Sequence, residues 1–172
     1  DRVQADGLTF YSAHPPLGEP PTDNSQFIVK LIHDHVTHTG ELRLFEELEG
    51  QLAKAMDFTP RNSQGLVWID RAKPHSPYGF TDTIAKTGAL FFSSLLYWEA
   101  SLKLADLYTR IGRREEAEKF QARALLIEKA IDVLWSEKHG AYYAATEDCR
   151  QLDVWGCGYA FYLGFLPEER LD

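Results

Sequence analysis

The feature that most restricts this chain is an internal repeat. Lys54-Ala55-Met56-Asp57-Phe58 matches Lys129-Ala130-Ile131-Asp132-Val133, and Gly65-Leu66-Val67-Trp68 matches Gly140-Ala141-Tyr142-Tyr143 at the same offset. Upstream, Gly7-Leu8-Thr9-Phe10 echoes Gly65-Leu66-Val67-Trp68, and Thr22-Asp23-Asn24 echoes Thr81-Asp82-Thr83. The unit reads as a Gly-apolar-x-aromatic strip, a variable loop, an acidic helix start, a helix, a short Gly hinge and a return helix. About two and a half such hairpins are visible. One hairpin cannot bury both of its faces, so stacked copies form either an open solenoid or a closed ring. The period of about 60 to 75 residues is too long for a tetratricopeptide-type solenoid, whose unit is roughly 34. The loops between hairpins are also long, and loops beyond about 12 residues in a compact domain are usually functional. They fall between hairpins, so they should collect on one rim.

Helical periodicity supplies the rods. After Asp23 or Asn24 as N-cap, Phe27, Ile28, Leu31, Ile32 and Val36 form a stripe that Thr39-Gly40 breaks. Leu42, Phe45, Leu48, Leu52 and Met56 form a second, ending at Thr59-Pro60. A third helix is expected to start between Asp82 and Gly88 and to run to Ile111-Gly112. The fourth should run from Arg113 or Arg114 to Lys138-His139-Gly140, where basic groups and Gly suit a helix end. A fifth is expected from about Asp153 to Phe165, with Pro167 opening another. The fold class predicted is all-α: consecutive helical hairpins.

Composition removes several classes. No apolar run approaches the roughly 20 residues of a spanning helix. A net charge of −8 without a basic tract argues against a nucleic-acid partner. Two cysteines, Cys149 and Cys157, cannot build a disulfide framework or a four-cysteine zinc site, and are expected to be free thiols. His33, His35 and His38 share a helix, but only His35 and His38 share a face, so no metal site is expected. A soluble protein follows, with the cytoplasm as the favoured compartment. The chain opens at Asp1 without Met or signal peptide, as a processed or excised piece would.

The loop GLVWIDRAKPHSPYGFTD, residues 65–82, combines flat rings (Trp68, Tyr78, Phe80) with charge (Asp70, Arg71, Lys73, His75, Asp82). Aromatic platforms edged by carboxylates suit a sugar, whose C–H faces stack on rings and whose hydroxyls bond to ionised groups. The same residues also serve a purely structural reading, in which Trp68 and Phe80 pin the loop and Asp82 caps a helix. Asp23 and Asp153 head the neighbouring units, the latter with Trp155 beside it, and they too read either as caps or as groups facing the ring centre.

The strings SPYGFTDTIAKTG, PPTDNSQF and DVWGCGYAFYLGFLP resemble the six-hairpin glycosidases, the (α/α)6-toroid sugar hydrolases, and within them the trehalase and processing α-glucosidase branch. The resemblance implies inverting hydrolysis of α-glycosidic bonds. It places the general acid at Asp82, after Tyr78-Gly79-Phe80-Thr81, and makes Asp23, Trp68, Asp70, Tyr78, Phe80, Asp153 and Trp155 the sugar-contacting lining. It implies no cofactor, no nucleic acid and no membrane, with a glycoside as the partner. The family's base is a Glu near the last hairpins, beyond this chain; Glu147 and Asp148 do not match its position. Six units need about 350 to 450 residues, so residues 1–172 are expected to be a partial catalytic toroid whose exposed edges favour self-association. The alternatives are a helical-repeat interaction domain without chemistry, and a toroid epimerase or lyase.

Overall fold

The computed structural model describes residues 23–74 and 84–170. Tyr78, Phe80 and Asp82 lie outside the described residues. Within the described ranges the α-helices and strands are, in order, α1 (Asn24–Thr39), α2 (Arg43–Phe58), β1 (Trp68–Ile69), β2 (Gly88–Ala89), α3 (Phe91–Arg110), α4 (Arg114–Ala130), β3 (Trp135–Ser136), β4 (Ala141–Tyr142) and α5 (Val154–Tyr162). Among the described residues the fold is all-α, with two short antiparallel β-pairs, β1–β2 and β3–β4.

The hairpins are where the repeat places them. α1 turns into α2 at Gly40 and α3 into α4 at Gly112, both with φ of 74°. That left-handed conformation is costly for any residue with a Cβ, so both tight hinges use Gly. α2 packs on α1 and α4 on α3, while α1, α3 and α5 lie side by side. The row is parallel. Lys30 meets Glu99, and one turn further on Asp34 meets Lys103. Along α5 and the segment after it, Gly156 faces Phe91 and Phe165 faces Trp98. The N-termini of α1, α3 and α5 therefore share one rim.

The core runs between these rods. Phe45 of α2 meets Tyr108 of α3 edge-on at 5.3 Å, and Tyr108 stacks on Phe120 of α4 at 5.9 Å. Each buried ring also removes apolar area from water, worth about 1.5–3 kcal/mol for a Phe-sized side chain. The Tyr108 hydroxyl donates to Glu49 O, and burial pushes its pKa up to about 12. Tyr97, fully buried, donates to Met56 O and accepts from Arg123.

Both long loops open with the Gly-apolar-x-aromatic strip, and in both copies it becomes a strand. Trp68 pairs with Ala89 just before α3, and Tyr143 pairs with Leu152 just before α5. The two loops then join each other through Leu90 and Ala145, Thr146 N to Ala89 O, and Glu147 N to Thr87 O. They do collect on one rim.

Several boundaries differ from expectation. α3 starts at Phe91 because Gly88 and Ala89 are drawn into the pair with β1. α4 ends at Ala130. Residues Ile131–Leu134 tighten into a 3-10 turn, and Trp135 and Ser136 pair with Tyr142 and Ala141, so Gly140 turns a hairpin rather than capping a helix. α5 ends at Tyr162, where Phe165 N bonds back to Ala160 O, and Pro167 opens only a 3-10 turn, Glu168–Arg170. On α1 the buried apolar residues are Val29, Ile32 and Val36; Phe27 and Leu31 are 46% and 68% exposed, because they point away from both α2 and α3.

Gly156 and Gly158 test the packing of α5. A Cβ on Gly156 would lie 2.6 Å from Phe91 Cδ1 and 2.9 Å from Asp153, whereas one on Gly158 meets nothing within 4 Å. Phe91 cannot retreat, since Tyr142 stacks on it at 4.1 Å. Gly156→Ala should cost about 1–3 kcal/mol, and Gly158→Ala should gain up to about 1 kcal/mol from helix propensity. Urea unfolding of both variants in dilute solution checks the pair; equal effects would mean that α5 does not pack closely on Phe91.

Candidate functional site

The rim that carries the long loops also carries the acidic helix starts. Asp153 caps α5: its Oδ1 accepts from Gly156 N at 2.8 Å, so the capping reading holds for this residue. The side chain is nevertheless buried, at 8% exposure, and its Oδ2 has no hydrogen-bond partner. One carboxylate oxygen is spent on the helix, and the other is left for something else.

Asp23 behaves differently. It occupies the N-cap position of α1 but makes no side-chain cap bond, and its Oδ1 is buried and unpartnered. Burial raises its pKa, offset in part by a backbone hydrogen bond. Beside it, Asn24 Nδ2 and Gln26 Oε1 are also buried without partners, while Gln26 Nε2 donates to Thr59 Oγ1 at 3.3 Å. Unsatisfied polar atoms thus gather at the start of α1.

Trp155, in the first turn of α5, is 81% exposed and presents its ring freely at the rim. Trp68 lies half-buried in β1. Asp70 is exposed and shapes its own loop: Oδ1 accepts from Ala72 N at 2.9 Å, and its carbonyl accepts from Lys73 N. Of the site residues named from sequence, Asp23, Asp153 and Trp155 stand at helix starts on the shared rim, with Trp68 and Asp70 on the first loop. The segment carrying Tyr78, Phe80 and Asp82 is outside the described residues.

Asp148 is committed to the scaffold. It accepts from Arg71 at 3.1 Å and from Thr87 Oγ1 at 2.7 Å, and so ties the first long loop to the second. Glu147 is exposed. Neither Thr87 nor Thr146 stands out in the sequence, yet Thr146 Oγ1 accepts from Ala89 N at 2.9 Å and completes the loop junction.

Sequence reasoning also missed a polar seam below the rim. Lys30 of α1 pairs with Glu99 of α3 at 2.6 Å, and Tyr159 of α5 bonds to both. Burial raises the Tyr159 pKa, and the Glu99 carboxylate adds to this. Further down, Lys103 holds Asp34 at 2.9 Å and lowers its pKa. His33 joins the seam through Asp106 at 3.1 Å and Lys103 at 3.3 Å. The partners lie on three separate helices, so no local spacing could have announced them.

Among the described residues no group of three His, Cys, Asp or Glu could hold a metal ion, and no helix is long and apolar enough to cross a membrane. Cys149 and Cys157 are both free thiols.

Asp23 yields a pH test. Burial holds its carboxyl above the ordinary value of 3.8, so folding favours the protonated form. That contribution is complete below the unfolded value and is lost as pH rises through the raised folded value. Asp23→Asn should therefore be more stable than the parent at pH 7, with the advantage vanishing below about pH 3.8. Thermal unfolding across this range checks it; a variant less stable at pH 7 would contradict the burial argument.

No family model and no curated protein matches the chain. Solved structures do. A GH78 family rhamnosidase of Bacillus sp. GL1 superposes with a TM-score of 0.79 at 20% identity, over 95% of this chain and 18% of that one. A rhamnosidase from Klebsiella oxytoca, solved with rhamnose bound, superposes with a TM-score of 0.75 at 17% identity, over 98% of this chain and 33% of that one. The chain thus spans about a fifth and a third of these two proteins. Both are rhamnosidases; neither is a trehalase or a processing α-glucosidase, so the narrower branch expected from sequence has no support here. At this identity the likeness concerns the fold alone, and the helical hairpins described above fit part of an all-α toroid.

Proposed function

We propose that these 172 residues are part of a larger (α/α)-toroid glycoside hydrolase, and that their loop-bearing rim is one wall of its sugar site. The observation that carries this reading is the convergence of three parallel helix starts on one rim, with buried, unpartnered carboxylate oxygens at Asp23 and Asp153 and an open ring at Trp155. Sugar hydroxyls supply the donors those oxygens lack, and a pyranose face supplies a partner for the indole.

In this reading Asp82 is the general acid of an inverting mechanism. One carboxyl, kept protonated, donates to the leaving oxygen while a second, about 6.5–9.5 Å away, activates water on the opposite face of the ring. Asp23, Trp68, Asp70, Tyr78, Phe80, Asp153 and Trp155 line the substrate. The base lies outside the 172 residues: Asp148 is held by Arg71 and Thr87 and is not free to activate water. The substrate is an α-linked glycoside. The two structural neighbours bring α-rhamnosides into the panel beside α-glucosides and α-mannosides.

The test is hydrolysis of that panel by the polypeptide that contains this chain together with the remaining hairpins, beside its Asp82→Asn variant. A positioned general acid contributes about 10²–10⁴-fold, so turnover should fall by at least about 100-fold in the variant. Unchanged turnover would remove Asp82 from the role. The 172-residue chain alone should hydrolyse none of the panel, since it lacks the base; robust hydrolysis by it would overturn the division of the site.

A further inference from the structure

Three parallel helix starts on one rim would by themselves draw an anion, because each carries the equivalent of roughly half a positive charge and amides in need of acceptors. The residues at these starts reverse that preference. At α3 the first amide, Phe91 N, already donates to Ala144 O at 3.0 Å. At α5 Asp153 Oδ1 accepts from Gly156 N at 2.8 Å, and the whole charge of its carboxylate outweighs the half charge of the helix end. At α1 Asp23 puts a second carboxyl in the cap position, with no cap bond.

The surplus at Asp153 is poorly screened. The residue is 8% exposed, and its Oδ2 is shut off from water without a hydrogen-bond partner. The basic side chains of the two loops are committed or distant in effect. Arg71 is held by Asp148, Arg150 lies over the Tyr143 ring at 5.3 Å, and Lys86 is not free. Lys73 is exposed, where water and salt weaken its field, and Asp70 and Glu147 are exposed on the same loops. At the start of α1, Asp23 Oδ1 and Gln26 Oε1 are further buried acceptors without donors, and the one buried donor beside them, Asn24 Nδ2, is an uncharged amide.

We propose that this rim excludes anionic sugars, and that Asp153 is the specificity-determining residue: an uncharged sugar is accepted and its uronate counterpart is turned away. The inference rests on the reading of the rim as a sugar wall and names the substrate class of that wall. Hydroxyls of an uncharged sugar can donate to Asp153 Oδ2 and Gln26 Oε1. A uronate carboxylate brings only lone pairs to these acceptors and sets a like charge near one that water does not screen. Discrimination here comes from a repulsive element as much as from an attractive one. The chain's net charge of −8 acts in the same sense at longer range.

Matched substrate pairs test this: p-nitrophenyl α-glucoside with its α-glucuronide, and α-mannoside with its α-mannuronide, at about pH 7, where the uronides are ionised. The enzyme is the polypeptide that contains this chain together with the remaining hairpins. Its kcat/KM should favour the uncharged member at least about 100-fold, since like charges brought together cost several kcal/mol. Asp153→Asn keeps an oxygen for Gly156 N and turns the other into an amide donor, and Asp153→Ser keeps a capping oxygen without the charge. Each should narrow the preference at least about tenfold. A purely structural role would lower both members of a pair alike and leave the ratio unmoved. A parent indifferent to the carboxylate, or a ratio unchanged in both variants, would overturn the proposal, while turnover of the uncharged members keeps the sugar-site reading. Hydrolysis of no member of either pair would overturn it too, and the α-rhamnosides would then decide the sugar-site reading by themselves.

Discussion

Helix α3 is the member on which the rest of the molecule leans. Phe91, Leu95, Leu96, Tyr97, Ala100, Leu104 and Leu107 are all essentially inaccessible to water, because α1, α4 and α5 press on it from different sides. Surface helices normally carry one apolar stripe. A helix buried from several directions carries apolar residues almost all round, and this one does. It therefore acts as the central post from which neighbouring helices take their direction. At its start Phe91 is stacked by Tyr142 and pressed by Gly156, so α3, the second loop and α5 meet at one ring.

Direction matters to the rim because the row is parallel, and two kinds of contact keep it so. Close packing of small on large, as at Gly156 and Phe91, sets the spacing. The polar seam of Lys30, Glu99 and Tyr159 sets the axial register, since a shift by one turn would leave partly buried charges without partners. The loops above are then joined by strand pairs and by Asp148, which bridges Arg71 and Thr87. Buried carboxylate oxygens at Asp23 and Asp153 consequently stand on a rigid base, the condition under which polar groups can be held ready for a ligand.

Much of this was legible in sequence, and the reason is repetition. Lys54 to Phe58 against Lys129 to Val133, and Gly65 to Trp68 against Gly140 to Tyr143, announce the hairpins before any helix is assigned. Asp153 was legible as a cap, since an acidic residue before an apolar run needs only local geometry to bond Gly156 N. Asp23 looked the same and is not the same: its neighbours bury it without offering it an amide. Residues 135–139 read as the last turn of the fourth helix because period alone cannot separate a last turn from a two-residue strand. The pairing partner, Tyr142 against Trp135, decided it. Phe27 and Leu31 read as core because a stripe of apolar residues carries no mark of which side the neighbouring helices will take.

The sequence by itself determined the unit and its order: helix, Gly hinge, return helix, aromatic strip, long loop and acidic start. Each of these rests on interactions within a few residues, or on spacing that recurs from one unit to the next. Only the tertiary structure decided which helices stand side by side, which carboxylates are buried without partners, and which aromatic rings remain in water. Those outcomes depend on residues sixty or more positions apart, as Lys30 and Glu99 are, or Phe91 and Gly156. Contacts at that distance leave no periodic trace, because each is made once, between two faces whose meeting is settled by packing.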